Sequence, residues 1–378
     1  MKINKVISVL LCSVLLQIVN SSLGNASTKL KLSVDNVIKI TLKNPDILDK
    51  TPAQQAISIG GFSGLRFLQQ DSKGKLLFLT HTDRGPNTEA YIRDRIVQRP
   101  FLLPNFTPRL VFLEADIITK TMRIKKQIQL KDPKGKLLTG LPRERSHEHP
   151  VNLYGKALVF DKWGMDLEGI DIAKDGSYWM AEEYGPSIVH FSSQGKLINL
   201  FQPGEGLPVY IKQRKLNRGF EGIALENRKV FAILQSAIRN SKVLPIVEFD
   251  IDKKKTTAQY SYQLDEQDGR IGDMVSVGSK RFLVIEQNKK SKKIFLIHLN
   301  NFIKNKLVYK KELINLTSLR INAKKIEGIS LVGPKHIAVI TDNDFGLAGE
   351  LDKKTGRAKF KKETSVLYII PLPRKLQE

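Results

Sequence analysis

A five-residue phrase occurs five times along this chain, and it is the feature that most limits the possible fold. The copies occupy residues 61–65, 166–170, 219–223, 270–274 and 325–329, and the fourth copy is degenerate. Each copy is followed by a short apolar strand-like segment, a turn and a second segment that ends in polar or charged residues. Two further strand-like segments complete most units. Four-stranded units with a period of about 50 residues are typical of β-propeller blades.

The spacing of the copies predicts the number of blades. The acidic residue of the last four copies recurs at intervals of 53, 52 and 54 positions, at Glu168, Glu221, Asp273 and Glu327. The first interval, from Ser63 to Glu168, spans 105 positions, but strand-like segments at 109–116 and 122–130 already complete the first unit. We therefore expect an all-β propeller in which five four-stranded blades are favoured and six are kept open.

The last unit shows only three strand-like segments, at 329–331, 336–340 and 365–370. Residues 29–42, near the N-terminus, have the strand character to supply the missing edge. Their pairing with the last unit would leave no unpaired strand edge between the first and last blades. We therefore predict a propeller that is closed by an N-terminal strand.

The N-terminus has the three parts of a secretory signal peptide. Lys2 and Lys5 precede an apolar stretch over 6–19, and Gly24-Asn25-Ala26 supplies small residues for a cleavage site. We predict a signal peptide at 1–26 and a propeller domain at 27–378, exported to the periplasm or secreted. The apolar stretch is shorter than the roughly 20 residues that span a bilayer. No later stretch approaches that length, so no transmembrane segment is expected after cleavage.

Composition limits the chemistry and the partners. Cys12, in the predicted signal peptide, is the only cysteine, so the mature chain has no disulfide and no thiol nucleophile. The formal charge of the chain is +24, a field that attracts anions such as phosphorylated small molecules. The lysine runs lie beside turn signals without a recognition helix or an aromatic stacking pattern, so no specific nucleic-acid binding is expected.

Acidic residues occupy equivalent places in successive units of this basic chain. Innermost strands line the tunnel of a propeller, so these residues would meet at one mouth of it. Converging carboxylates repel unless a divalent cation, a paired arginine or a raised pKa relieves them, and calcium suits such oxygen ligands best. The alternative is that each acid accepts backbone N–H groups where a strand begins. The predicted metal ligands are Asp83, Glu168, Glu182, Glu221, Glu286, Glu327, Asp342 and Asp344.

The segment Asp83-Arg84-Gly85-Pro86-Asn87 is the sharpest single motif. Arg84 is expected to bind a phosphate in bidentate fashion while Asp83 binds metal, and the Gly-Pro turn presents both. An internal ion pair that braces a turn is the alternative. The predicted catalytic residues are Asp83, Arg84 and Glu182, and the predicted substrate-binding residues are Arg84, Asn87 and Arg218.

Two other candidates carry less weight. His147 and His149 alternate on one side of an extended segment and could bind metal or act as a general acid, although an exposed polar loop explains them as well. Ser63 lacks the glycine spacing of a nucleophile elbow, which argues against a serine hydrolase.

Several of these motifs, taken in order, resemble the phytase-like family, whose description is esterase-like activity of phytase. The resemblance runs from about residue 59 to residue 370. It rests on the segments 61–65, 81–87, 166–170, 179–184, 217–222 and 341–346. The family implies an exported propeller and suggests phosphoester hydrolysis. The fourth unit departs from the pattern because Gly272-Asp273 replaces the Glu-Gly order.

The leading hypothesis is a metal-assisted phosphoester hydrolase with an acidic site at the tunnel mouth. In it, calcium ions bind phosphate oxygens and activate water, and Arg84 stabilises charge in the transition state. The competing hypothesis is a non-catalytic propeller that binds an anionic ligand or a protein partner at the same mouth. Propellers serve both purposes, so the fold does not choose between them.

Overall fold

The computed structural model describes residues 33–143, 148–303 and 306–372. Within these ranges the protein is all-β, with three short 3-10 helices at Val34–Asn36, Val209–Gln213 and Asp344–Gly346. No helix in this part of the chain is long and apolar enough to cross a membrane. The predicted signal peptide and His147 lie outside the described residues.

The N-terminal part contributes one closing strand, two small hairpins and the first four-stranded set. Its strands are β1 (Ile38–Leu42), β2 (Ile47–Lys50), β3 (Ala56–Ser58), β4 (Phe62–Gln70), β5 (Leu76–Thr82), β6 (Tyr91–Arg93), β7 (Ile96–Pro100), β8 (Arg109–Asp116) and β9 (Thr121–Gln129). Strands β4, β5, β8 and β9 pair in that order as successive antiparallel neighbours, and we name this set blade 1.

The central part contributes three more sets. After β10 (His149–Val151), blade 2 consists of β11 (Leu167–Ile172), β12 (Tyr178–Glu182), β13 (Ser187–Phe191) and β14 (Leu197–Pro203), with β15 (Gly206–Leu207) at its edge. Blade 3 consists of β16 (Phe220–Glu226), β17 (Lys229–Leu234), β18 (Leu244–Asp250) and β19 (Lys255–Tyr262). Blade 4 consists of β20 (Arg270–Gly278), β21 (Arg281–Gln287), β22 (Lys292–Phe302) and β23 (Val308–Asn315).

The last set joins the two ends of the chain. Its own strands are β24 (Lys325–Val332), β25 (His336–Asp342), β26 (Leu347–Asp352), β27 (Arg357–Phe360) and β28 (Val366–Pro371), of which β26 and β27 form a separate hairpin. Blade 5 has the order β24, β25, β28 and β1. The N-terminal closing strand is therefore confirmed: β1 pairs antiparallel with β28 and, over two residues, parallel with β9 of blade 1.

The predicted all-β propeller is also confirmed. The innermost strands β4, β11, β16, β20 and β24 contact one another in sequence order, and β24 contacts β4. The long first interval holds a small sheet of β6, β7 and β10 in the described residues, in addition to blade 1. Five as the number of blades, with six kept open, stays a prediction that this pairing supports.

Burial explains why the second strand of each blade reads as a continuous apolar run. These strands lie between neighbouring blades, so both faces are covered, as in β12, β17 and β25. Aromatic contacts join the blades: the Phe231 and Phe282 rings are 4.9 Å apart between blades 3 and 4. The buried apolar area supplies most of the stability in a chain without a disulfide.

A lid of loops covers part of one end of the propeller. Phe106, which follows the long segment after Asp83, packs edge-to-face on Phe345 of blade 5 at 5.5 Å between ring centroids. Gly61 has a φ of 61°, and a side chain there would collide with the Phe345 ring. The lid therefore fixes the backbone where blades 1 and 5 meet.

Candidate functional site

Three equivalent positions in each blade define the mouth of the tunnel. We name them the entry position, at the start of the inner strand, the tunnel position, two residues later, and the exit position, at the end of the second strand. The entry positions are Gly61, Asp166, Gly219, Arg270 and Lys325. The tunnel positions are Ser63, Glu168, Glu221, Gly272 and Glu327. The exit positions, which face the entry positions across each hairpin, are Asp83, Glu183, Gln235, Gln287 and Asp342.

Blade 2 places an acid at all three positions. Asp166, Glu168 and Glu183 are buried, and each offers one carboxylate oxygen within 4.8 Å of the others. The Ser63 hydroxyl donates to Glu168 Oε2 at 2.8 Å. Glu183 Oε1 accepts no hydrogen bond from the described residues, and the guanidinium of Arg218 lies 4.0 Å away.

Blade 5 has the same arrangement with one exchange, because Lys325 stands where blade 2 has Asp166. The Lys325 ammonium contacts Asp342 Oδ2 and Asp344 Oδ1, each at 2.6 Å. Glu327 is 7% exposed, and no described residue gives its carboxylate a hydrogen bond or an ion pair. Lys325 is therefore an internal counter-charge for this side of the mouth.

Blades 3 and 4 contribute less charge to the mouth. In blade 3, Gln235 Nε2 donates to Glu221 Oε2 at 2.6 Å. In blade 4, the tunnel position is Gly272, and Gln287 turns to the next strand, where it donates to Ile326 O and accepts from Ile326 N–H. The acid of the degenerate fourth copy, Asp273, leaves the mouth and accepts from the backbone N–H of Ile329 at 2.9 Å.

The crowding of acids changes their protonation. Burial raises the pKa of Asp83 to about 7, and the Glu327 carboxylate adds to that rise. Burial also raises the pKa of Glu168, Glu221 and Asp342 well above the usual range, and Glu327 again contributes to each. Glu327 therefore lies electrostatically close to acids of four different blades.

Arg84 is held by three carboxylates. Its guanidinium lies 3.0 Å from Asp166 Oδ2, 3.5 Å from Glu183 Oε2 and 3.5 Å from Glu148 Oε2, and it stacks over the Tyr184 ring. Arg84 therefore forms internal ion pairs with the acids of blade 2, and it also lines a cavity in which a phosphate would meet its guanidinium.

That cavity, of about 150 Å³, opens beside the mouth between blades 1 and 5. The Asp83 carboxylate borders it and accepts the Gly85 N–H at 2.8 Å. Arg99 also lines it and is paired in bidentate fashion with Glu148 at 2.6 Å. The charged and amide residues of its lining are Asp83, Arg84, Asn87, Glu89, Arg99, Lys324, Lys325 and Asp344.

Most predicted site residues come together, but two predicted metal ligands face elsewhere. Glu182 precedes the exit position, and its carboxylate accepts the N–H groups of Tyr184 and Gly185 and pairs with Arg143. Glu286 is the equivalent residue of blade 4, and its carboxylate binds Tyr262, the Asp265 N–H and Lys310. Strand alternation explains both placements, because successive side chains point to opposite faces.

The remaining predicted residues lie at the rim or away from it. Asp344 pairs with three lysines at the cavity edge, and these lysines hold its pKa below the usual range against the opposing effect of burial. Arg218 is half-exposed beside Glu183, and Asn87 accepts a hydrogen bond from Arg99. His149 is exposed and packs edge-to-face on Phe160.

The predicted catalytic, substrate-binding and metal-ligating residues leave out five residues of this region. They are Asp166, Glu148, Glu183, Arg99 and Lys325. The hairpin register could have identified Glu183, because its backbone N–H donates to the carbonyl of Asp166, the first residue of the second copy of the phrase. Arg99 lies on β7, within the insertion between β5 and β8 of blade 1, and Glu148 directly precedes β10, so both lie outside the repeated units and the repeat carries no signal for them.

Comparison with known proteins identifies the family. The sequence profile of the phytase-like family, described as esterase-like activity of phytase, matches residues 57–345. The chain belongs to this family. An uncharacterized secreted protein of Arthroderma benhamiae is 24% identical over 264 residues, covering 54% of this chain and 51% of that protein. This phytase-like chain thus spans about half the length of the curated relative it matches.

Two solved structures show distant similarity to this family member. An exo-β-1,3-galactanase from Clostridium thermocellum is 12% identical with a TM-score of 0.43, covering 88% of this chain and 62% of that one. The calcium-binding protein regucalcin from Agrobacterium tumefaciens is 11% identical with a TM-score of 0.41, covering 89% and 97%. The propeller assignment rests on the strand pairing of this chain and not on these similarities.

Proposed function

We propose that this phytase-like protein is an exported phosphoester hydrolase that requires a divalent cation at the tunnel mouth, with calcium as the first candidate. One observation carries the proposal. Buried carboxylates from several blades meet at the mouth, and the Glu327 carboxylate and Glu183 Oε1 accept no hydrogen bond from the described residues. A buried carboxylate without a partner is costly unless a cation balances it.

The chemistry of the donor set fits a hard cation. The acids that converge offer carboxylate oxygens, and calcium takes six to eight oxygen ligands in loose geometry. When bound, such an ion would supply positive charge for phosphate oxygens and for an attacking water. The residues that would hold it belong to the set Asp83, Asp166, Glu168, Glu183, Glu221, Glu327 and Asp342.

The cavity beside the mouth supplies the second half of a phosphoester site. Arg99, Lys324 and Lys325 line it and would bind phosphate oxygens, and Asn87 supplies an amide. Water would form the new bond to phosphorus while the bond from phosphorus to the ester oxygen breaks. The products would be the free alcohol and inorganic phosphate.

Two observations support export. Residues 1–26 have the pattern of a signal peptide, and the Arthroderma benhamiae relative is a secreted protein by its name. The periplasm and the medium are equally compatible with both.

A second function, binding of an anionic ligand without turnover, is favoured because two of the predicted catalytic side chains, Arg84 and Glu182, are already engaged within the protein. Arg84 and Arg99 both pair with carboxylates, and Glu182 is saturated by backbone N–H groups and Arg143. His149 packs on Phe160, outside the mouth. The His81 ring lies beside Glu168, but it is buried and both of its nitrogens contact backbone carbonyl oxygens, those of Thr82 and Glu168.

Hydrolysis is tested with the mature chain on a panel of para-nitrophenyl phosphate, a sugar phosphate, inositol hexakisphosphate and para-nitrophenyl acetate, with calcium and with chelator. We expect release of phosphate that chelator abolishes and that Glu183→Gln lowers at least 100-fold. Saturable binding of a phosphorylated compound without turnover would favour the second function. Cleavage of the acetate alone would overturn the phosphoester assignment.

A further inference from the structure

Blade 2 and blade 5 present the same three mouth positions with one difference in charge. At the entry, tunnel and exit positions, blade 2 has Asp166, Glu168 and Glu183. Blade 5 has Lys325, Glu327 and Asp342. The backbone pairing is the same, because the exit residue faces the entry residue across the hairpin in both blades.

We infer that the mouth holds a single divalent cation, bound by Asp166, Glu168 and Glu183, and that the Lys325 ammonium replaces a second ion in the equivalent place of blade 5. This inference rests on the proposed use of a cation at the mouth. It goes further by fixing the number of ions, their place and the residue that excludes a second one.

The blade 2 triplet is the better cation site on geometry. Its three carboxylates offer oxygens within 4.8 Å of one another, close enough to share one ion. Glu183 is 2% exposed, and its Oε1 accepts no hydrogen bond within the described chain. The Arg84 guanidinium lies 3.0 Å from Asp166 Oδ2 but 3.5 Å from Glu183 Oε2, and Arg218 lies 4.0 Å from Glu183 Oε1. Both contacts of Glu183 are longer than a charged hydrogen bond.

The blade 5 triplet already holds a cation that is part of the chain. Lys325 lies 2.6 Å from Asp342 Oδ2, at the length of a strong charge-assisted hydrogen bond. Its second contact, to Asp344 Oδ1, is equally short. An incoming ion would have to displace this ammonium and leave it buried without a partner, which is unfavourable.

The next position along the chain offers a matched control. Lys324 carries the same charge, but its side chain is 64% exposed and its ion pair with Asp344 is 3.5 Å long. Lys324→Asp and Lys325→Asp therefore change the net charge equally. Only Lys325→Asp gives blade 5 the acidic triplet of blade 2.

Native mass spectrometry and calorimetric titration of the mature chain with calcium test the inference. We expect one ion in the natural protein, one in Lys324→Asp and two in Lys325→Asp, and at least tenfold weaker binding in Glu183→Gln. Two ions in the natural protein, one ion in Lys325→Asp, or natural affinity in Glu183→Gln would each overturn the inference.

Lys325→Met covers the case in which Lys325→Asp does not fold. It removes the ammonium without adding a ligand, so Asp342 and Asp344 lose the ion pairs that Lys325 supplies. We expect a lower unfolding temperature in chelator and a larger calcium-dependent rise than in the natural protein, and an equal rise in both would contradict us. These measurements detect bound ions directly, so they test the inference even if no phosphoester is hydrolysed. Metal-dependent hydrolysis together with different ion counts would contradict this inference but not the proposed function.

Discussion

The Arg66 guanidinium lies 3.6 Å from Asp273 Oδ2, so a charge from blade 1 meets a charge from blade 4 inside the tunnel. The same guanidinium donates to the carbonyls of Ile223, Met274 and Ile329, and its Nε lies 3.1 Å from Asp171 Oδ1. One side chain of blade 1 thus contacts the inner strands of the four other blades. It fills the tunnel below the acidic mouth.

Loss of this guanidinium should destabilise the whole ring. Arg66→Met leaves Asp273 and several buried carbonyls without a donor, and removal of one partner from a buried ion pair costs about 3–5 kcal/mol. Chemical denaturation should therefore show a fall of that size in the free energy of unfolding. Arg123→Met is the control, because Arg123 is 62% exposed and its pair with Glu114 is worth about 0–1 kcal/mol. Equal losses of unfolding free energy in the two variants would show that Arg66 does not hold the five blades together.

The sequence predicts the blade architecture well because the repeat reports on backbone geometry. The phrase around Glu168 and Glu221 recurs where each inner strand begins, and period-2 alternation then assigns the strands. The N-terminal strand was predictable for the same reason, since the last unit lacked an edge that β1 fills.

The site was only partly predictable, because a one-residue shift on a strand reverses the face. Glu182 and Glu183 cannot be told apart by composition, and the hairpin register decides that Glu183 faces the mouth. Asp273 was attributed to the acidic phrase, whereas the structure turns it toward Arg66. The sequence does not mark Lys325 as a residue of the mouth, because lysine is the most common charged residue in this chain.

The closing strand should be required for a stable ring. Ile40 of β1 is fully buried between blades 5 and 1, and Ile→Ala at such a site costs about 2–5 kcal/mol. We expect Ile40→Ala to lower the free energy of unfolding by that amount in denaturation experiments, whereas Lys39→Ala, on the exposed side of β1, changes it little. Deletion through Leu42 should expose the edges of β28 and β9 and cause self-association detectable by light scattering. A monomeric deletion variant of natural stability would contradict closure by β1.

Without metal, the protein should lose stability as the pH rises toward neutral. Burial raises the pKa of Asp83 to about 7, so the folded state keeps a proton that the unfolded chain releases near pH 4. The stabilisation is therefore complete below about pH 4 and is lost as the pH rises through about 7. Thermal unfolding in chelator should show a falling midpoint from pH 5 to pH 8, and Asp83→Asn should flatten the curve. A midpoint that rises over this range would show that Asp83 is ionised throughout.

The mature protein should begin at Ser27. The signal-peptide pattern places cleavage after Ala26, so the intact mass of exported material should equal that of residues 27–378. An Ala26→Arg variant should accumulate unprocessed, because the cleavage site requires a small residue. Retention of Met1 in exported material would refute the assignment.

Calcium should stabilise the protein through Glu183 and not through its neighbour Glu182. A bound ion stabilises by mass action, and Glu183→Gln removes one ligand charge while it also relieves repulsion in the metal-free mouth. This variant should therefore unfold at or above the natural temperature in chelator but below it in excess calcium. Glu182 instead accepts the Tyr184 and Gly185 N–H groups, so Glu182→Gln should lower the unfolding temperature in both conditions, by the equivalent of about 0.5–2 kcal/mol for a lost backbone cap. A metal ligand is distinguished from a structural acid if the change in unfolding temperature has opposite signs in chelator and in calcium for Glu183→Gln but the same sign for Glu182→Gln. Equal losses in both conditions for both variants would remove the main support for a cation at the mouth.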